Sequence, residues 1–422
     1  MASRSGPDAP GGRRVLFFAH SSYLDDSNGA TVASRATMET LSRHGLAAEA
    51  LTGTILESPG ESRPESWPAG RGVSFEISPE AATSLDARGL RVDAAPHIRA
   101  AVAGVSLTLH RSPTSTTHEP DEFERAEILG LLDRAINRFR PDVLLNFGGD
   151  SLAHEARSLA RGRGVAVVFA LHNFSYSNPS TFATADAVLV PSRFAADHYR
   201  KTLDLDCAVL PNLVEVSRVR AALRDPRYLT FVNPSQVKGV YPFVRIADEL
   251  GRRRPDIPIL VVESRGDERM LVACGIDLRP HGNVFLMAQT PDPRQFWGVT
   301  RAALLPSLWW ENQPLVAVEA LINGIPVIGS DRGGIPETLG DAGIVLPLPE
   351  RLTPATQELP TPEEVSPWVD AVIRLWDDGA WYAERSRLAL EESRRWDPGV
   401  VEPRYVEFFR DVRPGGSPFI AS

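Results

Sequence analysis

Two glutamates and one lysine carry most of the chemistry legible in this chain. Glu311 and Glu319 are separated by seven residues within Leu305–Glu337, LPSLWWENQPLVAVEALINGIPVIGSDRGGIPE. Pro314 suits the first position of a helix, where its missing N–H costs nothing. Leu315, Val318, Leu321 and Ile322 then recur at helical spacing, and Asn323-Gly324 ends the pattern, because glycine tolerates the left-handed conformation. The leading N–H groups of Leu315 and Val316, at the positive end of that helix, attract an anion such as a phosphate. Two carboxylates beside an anion site are compatible with it only if they accept from hydroxyl groups. A sugar and a ribose flanking a diphosphate meet that demand.

The lysine is Lys238. Only it and Lys201 are lysines among the 45 basic residues; the rest are arginines. A chain that uses arginine almost everywhere but keeps a lysine in the turn Ser235-Gln236-Val237-Lys238-Gly239 invites a specific role. A compact ammonium on a flexible stem neutralises a diphosphate without help from a metal ion.

These residues need a scaffold. The chain has 422 residues, 43% of them hydrophobic, enough for two domains with real cores. Strand-like and helix-like stretches alternate through two successive halves. The first half opens with the apolar strand Arg14–His20, the loop SSYLDDSNG and a helix from about Ala30. Asn28-Gly29, at that helix start, can bring backbone close to a ligand. It continues with a strand at Gly104–His110, an amphipathic helix at Asp121–Arg140 whose apolar face includes Phe123, Ile128, Leu132 and Ile136, and strands at Val143–Phe147 and Val165–Leu171. His172 follows directly. The second half begins at Leu229, with the loop Asn233–Gly239 after its first strand and Ser264-Arg265-Gly266 after its second. Doubled alternation of this kind predicts an α/β chain with two doubly wound domains. The expected divisions are a flexible tail over 1–13, a first domain over 14–213, a connector over 214–227, a second domain over 228–395, and a final helical segment over 396–418 that crosses back. The Pro/Ser-rich stretch 57–72 reads as an exposed loop.

The net charge of −9 argues against nucleic acid as the main partner. Two cysteines, Cys207 and Cys274, are too few for a disulfide framework, so a reducing cytoplasm is the expected location. No apolar run is long enough to span a membrane, which leaves peripheral membrane contact open. His and Cys are scattered without ligand spacing, and Asp204-Leu205-Asp206 reads as surface, so no metal site is expected.

The segment PSLWWE, the Glu-seven-Glu spacing and the following EALINGIPVIGSDRGGIPE resemble the donor site of retaining glycosyltransferases of family 4, which have the GT-B fold. The resemblance implies two Rossmann-like domains facing a central cleft, and transfer of a sugar from a nucleotide-diphosphate sugar to an acceptor hydroxyl without metal or other cofactor. It implies that Glu311 binds sugar hydroxyls, Glu319 the ribose, and His172 the transferred sugar, while the Asn28-Gly29 loop faces the cleft. Many members carry an arginine about five residues before the lysine; this chain has Asn233-Pro234-Ser235-Gln236 there. Arg265 could supply that charge, and a solvated loop arginine is the plainer reading. The acceptor (glycan, lipid-linked sugar or small molecule) is not encoded in any motif. A nucleotide-sugar epimerase of the same fold and a silent sugar-nucleotide sensor are the rival readings.

Overall fold

The computed structural model describes residues 12–57, 73–78, 83–85, 91–93 and 97–420. The tail expected at 1–13 and the loop expected at 57–72 lie almost wholly outside these residues. The chain divides into two compact units, one comprising residues 1–190, 196–210 and 402–422, the other residues 191–195 and 211–401.

The first unit is built on a nine-stranded sheet. In spatial order it runs Cys207–Val209, Ala187–Val190, Ala166–Ala170, Val143–Asn146, Arg14–Ser21, Ala47–Ile55, Val105–Leu109, His97–Val102 and Phe75–Ser78. The strands are parallel as far as Val105–Leu109, and the last two join antiparallel. Their buried runs, such as Val15–Ala19 and Val165–Leu171, are apolar on both faces because helices cover both sides. Ala47–Ile55 and His97–Val102 carry no clear strand signal: the first is an Ala/Thr stretch interrupted by Gly53, and pairing with neighbours makes it a strand. Chain order reverses between Arg14–Ser21 and Val143–Asn146, and such a reversal opens a ligand crevice at the carboxyl ends of the strands.

The second unit has six strands, all parallel: Val284–Met287, Ile259–Val262, Tyr228–Val232, Thr300–Leu305, Val327–Ser330 and Ile344–Leu346. Numbered along the chain they lie in the order 3-2-1-4-5-6, the doubly wound arrangement. Successive side chains point to opposite faces. Leu229 and Phe231 join the core on one side, under helices Val240–Arg253 and Pro362–Asp377. Leu260, Val262, Ala303 and Leu305 join the other, under Leu315–Ile322. Here the reversal lies between Tyr228–Val232 and Thr300–Leu305, so the loops that follow those two strands meet at the crevice.

One helix keeps its expected face at Ile128, Leu131, Leu132 and Ile136 but departs from the sequence pattern in its first turns. In Glu122–Phe139, Phe123 is 59% exposed, and Glu124 and Glu127 are buried instead. Each glutamate has a histidine partner: Glu124 takes His20 and His118, and Glu127 takes His110. Hydrogen-bonded partners offset the desolvation that normally keeps carboxylates out of a core.

Candidate functional site

In the second unit the two loops at the strand reversal are locked together by backbone contacts. The N–H groups of Leu308 and Trp309 both donate to the Val237 carbonyl, at 3.0 and 3.1 Å. Gly239, at φ +87°, approaches Pro306 so closely that an added Cβ would stand 1.8 Å from its carbonyl oxygen. Only glycine combines that φ with that approach. Lys238 is thereby aimed at Glu311, and its Nζ donates to Glu311 Oε1 at 2.5 Å. Ser307 Oγ donates to the same oxygen at 2.9 Å. Both bonds land on Oε1, which leaves Oε2 to accept from a ligand. Glu311 is 8% exposed, so its charge is balanced mainly by Lys238.

The glycine loop closes the other side. Gly334 N–H donates to the Glu311 carbonyl at 2.6 Å. A Cβ on Gly333 or Gly334 would fall 2.5 Å or less from the backbone of Glu311 or Asn312. Neighbouring side chains clamp the segment further: Ser192 Oγ donates to Asn312 Oδ1 at 2.8 Å, and Asn212 N–H to Gln313 Oε1 at 3.0 Å. The Pro211-Asn212 segment therefore has a positioning task that its sequence does not reveal.

Pro314 is the N-cap of Leu315–Ile322 rather than its first helical residue. The first bonds back to its carbonyl come from Ala317 and Val318, which places the N–H groups of Leu315 and Val316 ahead of the ladder. No side chain caps this end. Arg265 is exposed on a loop whose Gly266 packs on Pro234 and Ser235. Trp310, 45% exposed, meets Phe194 edge-on, and Trp309 is half-buried.

Glu319 differs from the ionised acceptor its role suggests. It is partly buried, and its one bond comes from Trp297 Nε1, 2.9 Å from Oε2. Desolvation outweighs that bond and pushes its carboxyl up to about 7. Among the described residues no arginine pairs with it. Trp297 was not foreseen because it stands 22 positions away on another helix.

The remaining expected site residues lie in the first unit. His172 follows the strand Ala166–Ala170, its ring edge-on to Phe147 at 6.0 Å. Burial pushes its imidazole down to about 4, and its sealed Nε2 has no hydrogen-bond partner among the described residues. It is neutral at pH 7. Asn28 is the N-cap of Gly29–Arg43, accepting from Ala30 and Thr31 N–H at 2.9 and 3.0 Å, and Gly29 has open space where a Cβ would stand. Asn28 lines a cavity of about 280 Å³ at this unit's strand reversal, with His20, His118, Phe147, Gly148 and Asp150. Arg157, fully buried, fixes the rear of this crevice: its NH1 donates to Asn146 Oδ1 at 2.6 Å and to the Gly148 carbonyl at 2.8 Å.

Against known proteins, residues 226–378 match the sequence profile of a family described as Glycosyl transferases group 1. No curated protein matches the chain. Solved structures match along nearly its whole length. The pneumococcal O-GlcNAc transferase GtfA, in complex with UDP and GlcNAc, is 10% identical with a TM-score of 0.68, covering 95% of this chain and 99% of its own. Sucrose-phosphate synthase from Thermosynechococcus elongatus is 14% identical with a TM-score of 0.65, covering 94% and 98%. HepE of Anabaena, in complex with UDP and glucose, is 14% identical with a TM-score of 0.62, covering 94% and 99%. Likeness of this extent gives the chain the GT-B fold.

Proposed function

We propose that this chain is a retaining glycosyltransferase that moves a sugar from a nucleotide-diphosphate sugar to an acceptor hydroxyl. The observation that carries the reading is the Lys238–Glu311 pair at the strand reversal of the second unit, beside an uncapped helix start. The match of residues 226–378 and the UDP and UDP-glucose bound by structural neighbours support it.

In this reading the diphosphate lies against the N–H groups of Leu315 and Val316, with Lys238 Nζ on its oxygens. Lys238 has three N–H donors and spends one on Glu311, so two remain for phosphate. When the bond from the anomeric carbon to the diphosphate breaks, negative charge grows where these donors already point. Glu311 Oε2 accepts from sugar hydroxyls and orients the anomeric carbon. The acceptor oxygen bonds to that carbon on the face the diphosphate leaves, and its proton passes to the departing diphosphate. No metal ion is assigned to the diphosphate, because Lys238 and the helix start already supply its counter-charge. Arg265 is assigned to the donor's outer phosphate. The first unit takes the acceptor, with His172 as a neutral partner for a hydroxyl and Asn28-Gly29 at its rim.

A thermal-shift screen of UDP-, GDP-, ADP- and dTDP-sugars tests donor binding, since a ligand of the folded state raises Tm by mass action. One nucleotide class is expected to raise Tm, and release of its nucleoside diphosphate is expected once a competent acceptor is added. NMR of the product should show the donor's anomeric configuration kept. Binding with no release under any acceptor would favour the sensor reading, and no shift with any donor would remove the reading altogether.

Glu319 gives a pH test. With its carboxyl at about 7 before ligand binds, it is mostly protonated at pH 6 and mostly ionised at pH 8. If ribose hydroxyls bind the ionised form, donor affinity rises with pH, by about tenfold from pH 6 to 8. The nucleotide-sugar diphosphate does not titrate in that range. Glu319→Gln should weaken binding and flatten the profile; an unchanged slope in that variant would assign the titration to another group.

A further inference from the structure

The first unit holds a side-chain group that sugar transfer does not use. His20 is the next-to-last residue of the strand Arg14–Ser21, His118 lies in the loop before Glu122–Phe139, and Glu124 stands in the first turn of that helix. They are up to 104 positions apart in sequence, which is why spacing along the chain gave no sign of them. In space, His20 Nε2 lies 3.3 Å from Glu124 Oε1, and His118 Nε2 lies 2.8 Å from Glu124 Oε2. One ligand atom from each falls within 4.8 Å of the others. Ligands on a tetrahedral zinc-type ion, at bonds of about 2.0–2.1 Å, stand about 3.3 Å apart.

Three further observations point to a cation. His118 Nδ1 lies 3.0 Å from the Thr116 carbonyl, which can only accept, so Nδ1 carries the ring hydrogen. Nε2 then faces the Glu124 carboxylate at 2.8 Å, a pairing that needs a positive centre, either a proton that makes His118 an imidazolium or a metal ion in its place. A backbone carbonyl on the distal nitrogen is also the usual support for a metal-bound histidine. Second, the backbone is shaped around His20. The register with Ala47–Ile55 shifts between Ala19 and Ser21, and a Cβ on Gly53 would stand 2.2 Å from the His20 carbonyl oxygen. Such bulges re-aim side chains at functional sites. Third, His20 and His118 line the 280 Å³ cavity at the strand reversal, whose other charged lining residues are Glu57, Glu119 and Asp150, with no lysine or arginine among them. An anionic cavity of this kind concentrates cations.

We propose that His20, His118 and Glu124 bind one divalent transition-metal ion of the zinc type, with its fourth position open to this cavity. Two imidazoles and one carboxylate suit zinc rather than magnesium or calcium, which take oxygen ligands. The open position takes water or an oxygen donor, such as a hydroxyl or carboxylate, of a small polar ligand in the cavity. The proposal stands apart from the sugar-transfer reading, and its test needs no nucleotide sugar.

The experiment titrates the tag-free full chain, stripped with a chelator, with Zn²⁺ against a chromophoric competitor. X-ray absorption on the one-equivalent complex reads the shell. Wild type is expected to bind one equivalent with two imidazoles in the shell. Affinity should fall at least about 100-fold in His118→Ala and in the nearly isosteric Glu124→Gln, and stay unchanged in His154→Ala, an exposed control. The proposal is overturned if wild type binds no more zinc than His118→Ala, or if its bound zinc shows any shell other than two imidazoles with oxygen. Those wild-type measurements decide the matter even where a variant fails to fold.

Discussion

Lys238→Ala is expected to lower kcat for sugar transfer by about 10²–10³-fold, the range seen when one preorganised donor to a developing charge is removed. The effect should fall on kcat more than on KM, because charge on the diphosphate grows toward the transition state and the lysine is worth most there. The same change strips the balancing cation from Glu311, which is 8% exposed. Ser307 Oγ still donates to Glu311 Oε1, so the carboxylate keeps one partner. A stability loss of about 1–3 kcal/mol accompanies the substitution on that account. Steady-state kinetics beside a thermal melt separate the two effects. A variant that is folded and fully active would end the assignment of Lys238 to the diphosphate. Glu311→Gln tests the other partner: it keeps the shape and removes the charge, and is expected to abolish transfer while the fold persists.

Gly239→Ala is expected to lower stability by about 3 kcal/mol and to disable transfer with it. Its φ of +87° already disfavours a side chain, and the new Cβ would lie 1.8 Å from the Pro306 carbonyl oxygen, a backbone atom that cannot rotate away. The loop bearing Lys238 must therefore part from the loop bearing Glu311. For a unit of this size that corresponds to a fall in Tm of about 6–12 °C. Gly379→Ala is the matched control, since Gly379 has open space and no positive φ, and should melt near the wild-type temperature. Calorimetry on both variants, with donor binding measured below their melting points, checks the pair. Equal melting of the two would show that the loops do not depend on this contact.

The fold was readable because its evidence is local and repeated. Apolar runs such as RVLFFAH and helices such as Val240–Arg253 announce themselves by period, and two rounds of alternation imply two doubly wound layers. The segment from Trp309 to Glu337 was readable because its turn residues and its acids stand close in sequence. Strand Ala47–Ile55 was not, because it becomes a strand by lying between two neighbours rather than by composition. Phe123 misled for a related reason: helical period marks an apolar face, but Glu124 takes the interior once His20 and His118 are there to receive it.

What the sequence determined by itself was which chemical groups exist and in what local frame: a lysine in a glycine turn, two acids around a helix start, a histidine after a strand. Tertiary structure alone decided their electrical state and their company. Glu319 moves to about 7 because packing removes much of its water and leaves it one indole donor. Lys238 meets Glu311 across 73 positions because strand order reverses between their loops. His20, His118 and Glu124 converge at the corresponding reversal of the other sheet. Desolvation and convergence depend on distance in space, and a linear chain records only distance along itself.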